Sequence, residues 1–351
     1  MKHHEEDERT RSPLLLRSRL AEINYDKLIP PSHVINQTQP TEVMVDVYVQ
    51  TIGNLQDRTM DFDIEFFLHL YWVDFRLIQA TAPYNEIVIN DVSVARLIWW
   101  PDIYFASAKS ATLLFIPMPN FGMWLYSNGA VVTSHRVQAK MSCVMRLNQF
   151  PSDTQTCSIV FQTYVSHKDD IVMSWKNNSG SVILAPGLTM LDFIIRDIAT
   201  DTCDGHHKGV GDFCCIRANI TMSRYYGFQF FQVFLPSATI VSISWIGFWI
   251  SPKAVPARAT LVITTFLALA THASGVRSHM PPVSYMTAMD IWNTACRFFL
   301  LAAIVEFALA YYIWERQHEK SSDFNSTNKV FCIGKLVTVG LKTDTKSKQE
   351  P

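Results

Sequence analysis

Residues 143–157 read CVMRLNQFPSDTQTC, in which two cysteines enclose thirteen residues. A disulfide bond between Cys143 and Cys157 would close this segment into a loop. Closing a loop of that length restricts the unfolded chain and stabilises the fold by roughly 3 kcal/mol. Any secreted domain can contain such a bond, so the meaning of this loop depends on the sequence on either side of it.

The sequence on either side of the loop alternates between polar and apolar residues in short runs. Residues 43–49 (VMVDVYV) and residues 61–71 (DFDIEFFLHLY) both show this period of two, which is typical of half-buried β-strands. Turn-forming pairs such as Asn128-Gly129 separate the runs. Many short strands separated by turns predict a β-sandwich.

Three long apolar segments lie in the last third of the chain. Residues 228–250 have 23 residues without a charge, residues 259–275 are also uncharged, and residues 291–313 contain only Arg297 and Glu306 as charged residues. A helix of about 20 apolar residues crosses the roughly 30 Å hydrocarbon core of a bilayer. These segments predict three membrane-spanning helices.

The predicted fold class is therefore α+β with several domains, a β-sandwich followed by a bundle of membrane helices. We predict a charged N-terminal tail over residues 1–27, the sandwich over 28–224, a membrane region over 225–315 with helices at 225–250, 256–277 and 285–314, and a cytoplasmic tail over 316–351. The tail contains no apolar run of spanning length, so no fourth membrane helix is expected in it.

Several function classes lack support in the sequence. The formal net charge of -1 gives no basis for nucleic-acid binding. No nucleophile–base motif or phosphate-binding loop is visible, so we expect neither an enzyme nor a cofactor. His206 and His207 lie between Cys203 and Cys214, but this spacing fits no common zinc ligand set, and no metal site is predicted.

Five motifs occur in an order that identifies a family. They are Trp72-Val73-Asp74-Phe75-Arg76-Leu77, Trp99-Trp100-Pro101-Asp102, the Cys143–Cys157 loop with its Phe150-Pro151-Ser152-Asp153 centre, the segment from Cys203 to Cys214, and Pro256-Ala257-Arg258. From about residue 43 to residue 318, the chain resembles the Cys-loop pentameric ligand-gated ion channels. Within them, it resembles the chloride channels gated by glycine, γ-aminobutyrate and glutamate.

This resemblance implies a pentamer of like subunits, homomeric or heteromeric, in a postsynaptic plasma membrane. The immunoglobulin-like sandwich would be extracellular, and a small amine or amino-acid transmitter bound there would open a pore for chloride. Family members have four membrane helices, whereas this sequence predicts three. A second hypothesis is therefore a truncated, non-conducting isoform that modulates the assembly of full-length subunits.

Three cysteines near the end of the sandwich leave a second disulfide bond open. Cys203 can pair with Cys214 or with Cys215, or Cys214 and Cys215 can form a vicinal bond, and spacing does not choose among these. The resemblance to glycine-type receptors favours a bond between Cys203 and Cys214.

The second membrane segment has a stripe of small hydroxyl side chains interrupted by one leucine. At about 100° per residue, these side chains lie within about 40° of one line along the helix. The stripe consists of Thr260, Thr264, Leu267, Thr271 and Ser274. Hydroxyls in any membrane helix can bond to their own backbone, but in a symmetric pentamer this stripe would line the pore. Leucine rings would then form a hydrophobic constriction that gates by dewetting.

Charges near the ends of this helix bear on ion selectivity. Arg258 and Arg277 flank the stripe, and Pro256 and Ala257 precede it without a carboxylate. Positive charge at a pore mouth concentrates anions, whereas cation-conducting relatives typically have a glutamate here. Anchoring of the helix ends by the arginines is the alternative. The sequence therefore predicts an anion-selective pore.

The resemblance also implies a ligand site between neighbouring sandwiches. Its members in this chain would be Phe67, His69, Tyr104, Phe105, Ser134, Tyr164, His207 and Phe213. His69 occupies a position where amino-acid-gated relatives have an arginine that pairs with the ligand carboxylate. A neutral histidine cannot replace that pairing, so we expect an ammonium ligand held by cation–π contacts rather than an amino acid.

Two further residues are expected to connect the sandwich to gating. Asp153 in the Cys143–Cys157 loop and Arg224 before the first membrane helix match an ion pair of the family. The pair has either a purely structural role or a role in coupling ligand binding to the pore.

Overall fold

A computed structural model of the chain describes residues 16–35, 39–81, 84–177, 180–278 and 280–343. The chain divides into an N-terminal unit that reaches Tyr226 and a second unit that begins at Gly227, with residues 280–282 assigned to the first unit. Residues 1–15 of the predicted N-terminal tail and 344–351 of the predicted cytoplasmic tail lie outside the described residues.

Among its described residues, the N-terminal unit contains two β-sheets and four short helices. The helices are α1 (residues 16–22), α2 (Pro31–Ile35), α3 (Leu77–Thr81) and α4 (Val92–Ala95). The strands are β1 (Thr41–Gln56), β2 (Asp61–Val73), β3 (Glu86–Ile89), β4 (Ile103–Phe105), β5 (Ala108–Leu113), β6 (Phe121–Tyr126), β7 (Ala130–Ser142), β8 (Thr154–His167), β9 (Ile171–Trp175), β10 (Val182–Leu184), β11 (Phe193–Thr202), β12 (His206–His207) and β13 (Gly211–Arg224).

The two sheets form the predicted sandwich. One sheet has the order β10-β1-β2-β7-β6-β3, with β5 also paired to β7 and β9 to β1, and the other has the order β11-β13-β8-β4, with β12 on β13. Side chains alternate along β2 between buried and half-buried positions, as period-two strands require. The buried ring of Phe66 meets Phe105 and Phe161 edge-to-face at centroid distances of 5.6 and 6.5 Å. These contacts join the two sheets in one aromatic core.

The structure corrects the predicted boundary of the sandwich. Residues 16–27 were expected in a tail, yet Leu16 and Leu20 on α1 are buried. The Tyr25 hydroxyl donates to Asp74 Oδ2 at 2.7 Å and accepts from the backbone N–H of Trp99 at 3.0 Å. The abundance of charges before residue 13 concealed this short amphipathic helix, whose apolar side packs on the sandwich.

The second unit is helical and contains the three predicted membrane helices. Its helices are α5 (Tyr226–Gln229), a π-helical turn (Phe230–Phe234), α6 (Leu235–Ser244), a 3₁₀ turn (Trp245–Trp249), α7 (Val255–Arg277) and α8 (Ala288–Thr343). In the described part of the chain, three segments are long and apolar enough to cross a membrane, Phe230–Trp249, Val255–Arg277 and Ala288–His318. The helix α8 continues beyond residue 314, where the third membrane helix was expected to end.

The three membrane helices share a small apolar core. Val241 on α6, Leu269 on α7, and Cys296 and Leu300 on α8 are all buried in one cluster. Ser237 on α6 also accepts a hydrogen bond from the indole N–H of Trp292 on α8 at 2.9 Å. The hydrogen bond joins α6 to α8. The third helix, α7, packs against them through Leu269, on the one side of α7 whose residues are buried.

The structure contains the Cys143–Cys157 bond but corrects the second one. Cys203 is bonded to Cys215, and Cys214 is a buried free thiol. In the antiparallel ladder of β11 and β13, Thr202 pairs with Ile216, so the next residue, Cys203, comes opposite Cys215. Cys214 lies one position out of register, with its sulfur 3.0 Å from the backbone nitrogen of Met173 on β9. Strand alternation therefore decides the pairing that spacing left open.

Disulfide mapping tests this arrangement. We expect peptide mass spectrometry of the unreduced protein to find Cys203 linked to Cys215 and Cys214 alkylated only after unfolding. Cys214→Ser should preserve the bond, whereas Cys215→Ser should remove it and lower stability by about 2–5 kcal/mol. A Cys203–Cys214 peptide from the native protein would contradict the register of β13.

Candidate functional site

One group of predicted ligand residues lies together on the first sheet. On β2, Phe67 pairs in register with Arg136 of β7, and His69 pairs with Ser134 of β7 on one side and with Asp46 of β1 on the other. All five occupy alternate, partly exposed positions of their strands. Phe67, His69 and Ser134, which the sequence predicted, therefore form one patch, and the neighbours Asp46 and Arg136 bring charges to it.

The histidine in this patch is held in its neutral form. Burial lowers the pKa of His69, and Lys176 lowers it further, while the carboxylate of Asp46, 3.8 Å from His69 Nδ1, opposes the shift. The neighbouring His135 is more deeply buried, and burial lowers its pKa to about 4. Neither imidazole contributes a positive charge to the patch at neutral pH.

The one guanidinium of the patch is already paired. Arg136 Nε donates to Glu65 Oε1 at 2.6 Å, and a second nitrogen of Arg136 contacts the same oxygen. Its guanidinium carbon lies 5.8 Å from the centroid of the Phe67 ring. With a neutral His69, the carboxylates of Asp46 and Glu65 offset the charges of Arg136 and Lys176, so the patch has no excess of positive charge.

A second group of predicted ligand residues lies on the other sheet. The rings of Tyr104 on β4 and Tyr164 on β8 meet edge-to-face at 5.5 Å, and the Tyr104 hydroxyl donates to Gln162 at 3.2 Å. The amide nitrogen of Gln162 is 2.9 Å from His207 Nε2, and the His207 ring lies 5.6 Å from that of Phe213. Tyr164 is 71% exposed, so this aromatic group opens to the surface.

Phe105 differs from the other predicted ligand residues. Its half-buried ring packs on the buried rings of Phe66 and Phe161 at 5.6 and 5.5 Å, which places it at the edge of the aromatic core rather than in the exposed aromatic group. Conversely, His167 lies against Phe213 at 5.1 Å, although the sequence did not single it out. Its position at the end of β8, opposite Phe213 of β13, could have suggested it, because β8 also bears Tyr164.

A buried ion cluster contains the predicted Asp153–Arg224 pair and a third member. Arg224 Nε donates to Asp153 Oδ1 at 2.8 Å, and its two terminal nitrogens donate to the carboxylate of Asp57 at 3.0 and 2.7 Å. Burial lowers the pKa of Arg224, but the hydrogen bonds with Asp153 and Asp57 outweigh it and the net shift is upward. Asp57, in the turn after β1, was missed because nothing in its local sequence marks it.

The hydroxyl stripe of α7 lies on the side of the helix that the membrane unit leaves open. Thr260, Thr264, Leu267, Thr271 and Ser274 are all exposed. The buried residues of α7 are Arg258, Val262, Thr265, Leu269 and Ala273, which at about 100° per residue are centred directly opposite the stripe. Within this unit, the Thr264 and Thr271 hydroxyls donate to carbonyl oxygens of Thr260 and Leu267 at 2.8 and 3.0 Å.

Arg258 does not lie on the stripe, which corrects its predicted place at the end of that line. It is 3% exposed and about 160° away from the stripe around the helix. Its Nε donates to the carbonyl oxygen of Ile250 at 2.8 Å and its Nη2 to that of Phe248 at 3.3 Å. Pro256 and Ala257 are exposed at the same end of α7, and Arg277 is exposed at the other end, 3.8 Å from Asp290.

Comparison with known protein families agrees with this division into two units. The model of the neurotransmitter-gated ion-channel ligand binding domain matches residues 14–226. The model of the neurotransmitter-gated ion-channel transmembrane region matches residues 233–351. The first match covers the sandwich with its two aromatic groups, and the second covers the helices with their open stripe. The chain belongs to the family of neurotransmitter-gated ion channels, which are not enzymes.

Proposed function

We propose that the chain is a subunit of a chloride channel that opens when a small ammonium ligand binds to its extracellular domain. The observation that carries this proposal is the position of the stripe on α7, directly opposite the side that the other helices bury. A helix held on one side exposes its other side to whatever lies at the centre of a symmetric assembly. Five such stripes around an axis would line an ion pathway.

The end of α7 that bears Pro256 and Ala257 favours anions. No acidic residue occurs in the first turn, and the free N–H groups of a helix N-terminus carry a partial positive charge of roughly half an electron. Arg258 adds a full positive charge behind this turn. Positive potential at a narrow pore mouth concentrates chloride and repels cations.

Selectivity is tested by adding a carboxylate at the exposed end. We expect Ala257→Glu to place a ring of negative charges beside the pore and to shift permeability from chloride toward sodium. The measurement is the reversal potential in solutions of different chloride concentration. The matched control, Ala257→Gln, has the same shape without the charge and should remain anion-selective. A reversal potential of Ala257→Glu that still follows chloride would contradict this account.

Leu267 is the candidate gate. It is 61% exposed and is the large apolar side chain of the stripe, with Thr264 and Thr271 one turn away on either side. A ring of leucines at a narrow point excludes water and thereby blocks ions. Hydroxyl groups on both sides of this ring would keep the rest of the ion pathway hydrated.

A polar side chain at this position should favour the open state. We expect Leu267→Ser to lower the ligand concentration for half-maximal current by about tenfold or more, equivalent to about 1.4 kcal/mol, and to produce current without ligand. Leu267→Ile keeps an apolar ring and is the control. A response at unchanged or higher ligand concentration, with normal surface expression, would place the gate elsewhere.

The charges of the two aromatic groups favour a ligand with an ammonium group and no carboxylate. Rings of Phe67, Tyr104 and Tyr164 offer faces for cation–π contacts, provided that neighbouring subunits bring the two groups together. A ligand carboxylate would need a cation, yet His69 is neutral, Arg136 is bound to Glu65, and the Lys176 ammonium lies over the ring of Tyr71. Burying a carboxylate without a cationic partner costs several kcal/mol.

Ligand choice can be measured with a panel of amines and amino acids at two pH values. At neutral pH, amines should activate better than amino acids. Burial and Lys176 lower the pKa of His69 more than Asp46 raises it, so its charged form becomes abundant only in acidic solution. Any amino-acid response should therefore grow on acidification.

Two variants separate the contributions of the charges in this patch. His69→Arg should strengthen the amino-acid response at neutral pH, and Glu65→Gln should do so by releasing Arg136. Ser134→Ala, which changes no charge, is the control for altered packing. Strong, pH-independent activation of the unmodified protein by γ-aminobutyrate, glycine or glutamate would show that Arg136 pairs with the ligand in spite of Glu65.

A further inference from the structure

Arg258 has one donor group without a partner. Two of its nitrogens bond to the carbonyl oxygens of Phe248 and Ile250, where the first membrane helix ends and its carbonyls carry partial negative charge. The third nitrogen, Nη1, is buried and has no hydrogen-bond partner among the described residues. An unfilled donor on a buried cation is costly, so one more acceptor would stabilise this guanidinium.

Glu306 on α8 lines the same narrow space as this guanidinium. Ser244 of α6 and Val262 of α7 are among the other residues that line this space, which leaves no volume for a water molecule. Arg258 and Glu306, both in the described part of the chain, share this lining without a direct salt bridge. Because water cannot screen the guanidinium there, a carboxylate is the natural counter-charge.

The two residues also lie at similar depth along their helices. Arg277 near the end of α7 is 3.8 Å from Asp290 near the start of α8, which fixes the register of the two helices at that end. Arg258 is 19 residues from Arg277 and Glu306 is 16 residues from Asp290, or about 28 and about 24 Å along the helices. A difference of less than one helical turn is within the reach of two long side chains.

We propose that Glu306 is a positioning residue that pairs with Arg258 and holds its charge on the back of the pore helix. The pair would fasten α7 to α8 at the end where ions meet the narrow mouth. It would also reduce the positive potential that Arg258 alone would create there. The effect on the electrostatic potential at the pore mouth rests on the proposed chloride-channel function, whereas the pairing of Glu306 with Arg258 does not.

A double-mutant cycle tests the pairing without any current. The thermal unfolding temperature of the purified protein in detergent would be measured for Arg258→Gln, Glu306→Gln and the double variant. We expect each single change to lower it by about 3 °C or more, and the double change to lower it by clearly less than the sum, because no unpaired charge remains. Glu315→Gln, an exposed acid farther along α8, should have no effect.

Additive losses, or no loss for Glu306→Gln, would overturn the pairing. If Glu306→Gln does not fold, Glu306→Asp and the double variant decide: recovery of folding in both supports the pairing, and failure of the double variant contradicts it.

Single-channel chloride conductance shows how Glu306 acts. Glu306→Gln should raise the conductance when Arg258 is present and leave it unchanged in the Arg258→Gln background. An equal rise in both backgrounds would mean that Glu306 acts on ions directly, which overturns its role through Arg258. Absence of any current would contradict the proposed channel function, while the unfolding cycle would still decide the pairing.

Discussion

Arg224 carries a permanent positive charge into the interior of the N-terminal unit, at the last residue of β13. Its side chain is 6% exposed and lies between the carboxylates of Asp57 and Asp153, with the rings of Phe150 and Phe193 over its guanidinium at 4.8 and 4.5 Å. Removing Arg224 would leave the two carboxylates without their cation, at a cost of about 3–5 kcal/mol. One guanidinium therefore links the turn after β1, the Cys143–Cys157 loop and the end of β13 through ion pairs. A displacement of β13 by a ligand at its other end, where Phe213 lies, would have to move all three segments together.

The membrane unit obeys a similar constraint in a different medium. Lipid supplies no hydrogen bonds, so polar side chains in α7 must bond within the protein or face water. The hydroxyls of Thr264 and Thr265 bond to the preceding turn, yet only Thr265 is buried. Thr264 remains exposed beside Leu267, and its oxygen can accept further hydrogen bonds. The helix α7 therefore has one buried side and exposed hydroxyls on the opposite side. This combination suits a helix that faces a water-filled pathway.

Residue patterns predicted most of the architecture and fewer of the site contacts. Alternation in β2 and the apolar segments after residue 227 were sufficient for the sandwich and the three helices, because strand and helix periods are local properties. The Cys203–Cys215 bond, the packing of Phe105 on Phe66 and the contact of Asp57 with Arg224 depend on strand register or on residues far apart in sequence. Strand register and contacts between residues far apart in sequence are not visible in a local sequence pattern. The position of Arg258 was predictable in principle, since two residues before Thr260 is about 160° away around the helix.

That position changes how the charge of Arg258 can influence ions. A guanidinium projecting into a narrow pore would bind chloride through several donors, and tight binding slows exit. Conduction requires binding that is favourable enough for entry and weak enough for release. With two of its nitrogens bonded to carbonyls of Phe248 and Ile250, Arg258 in the proposed channel would offer ions an electrostatic potential without a contact site. At the start of α7, the exposed residues Pro256 and Ala257 have no charge. In the proposed chloride channel, selectivity and rapid permeation would then be compatible, because the charge that attracts the anion would lie behind the wall that the anion touches.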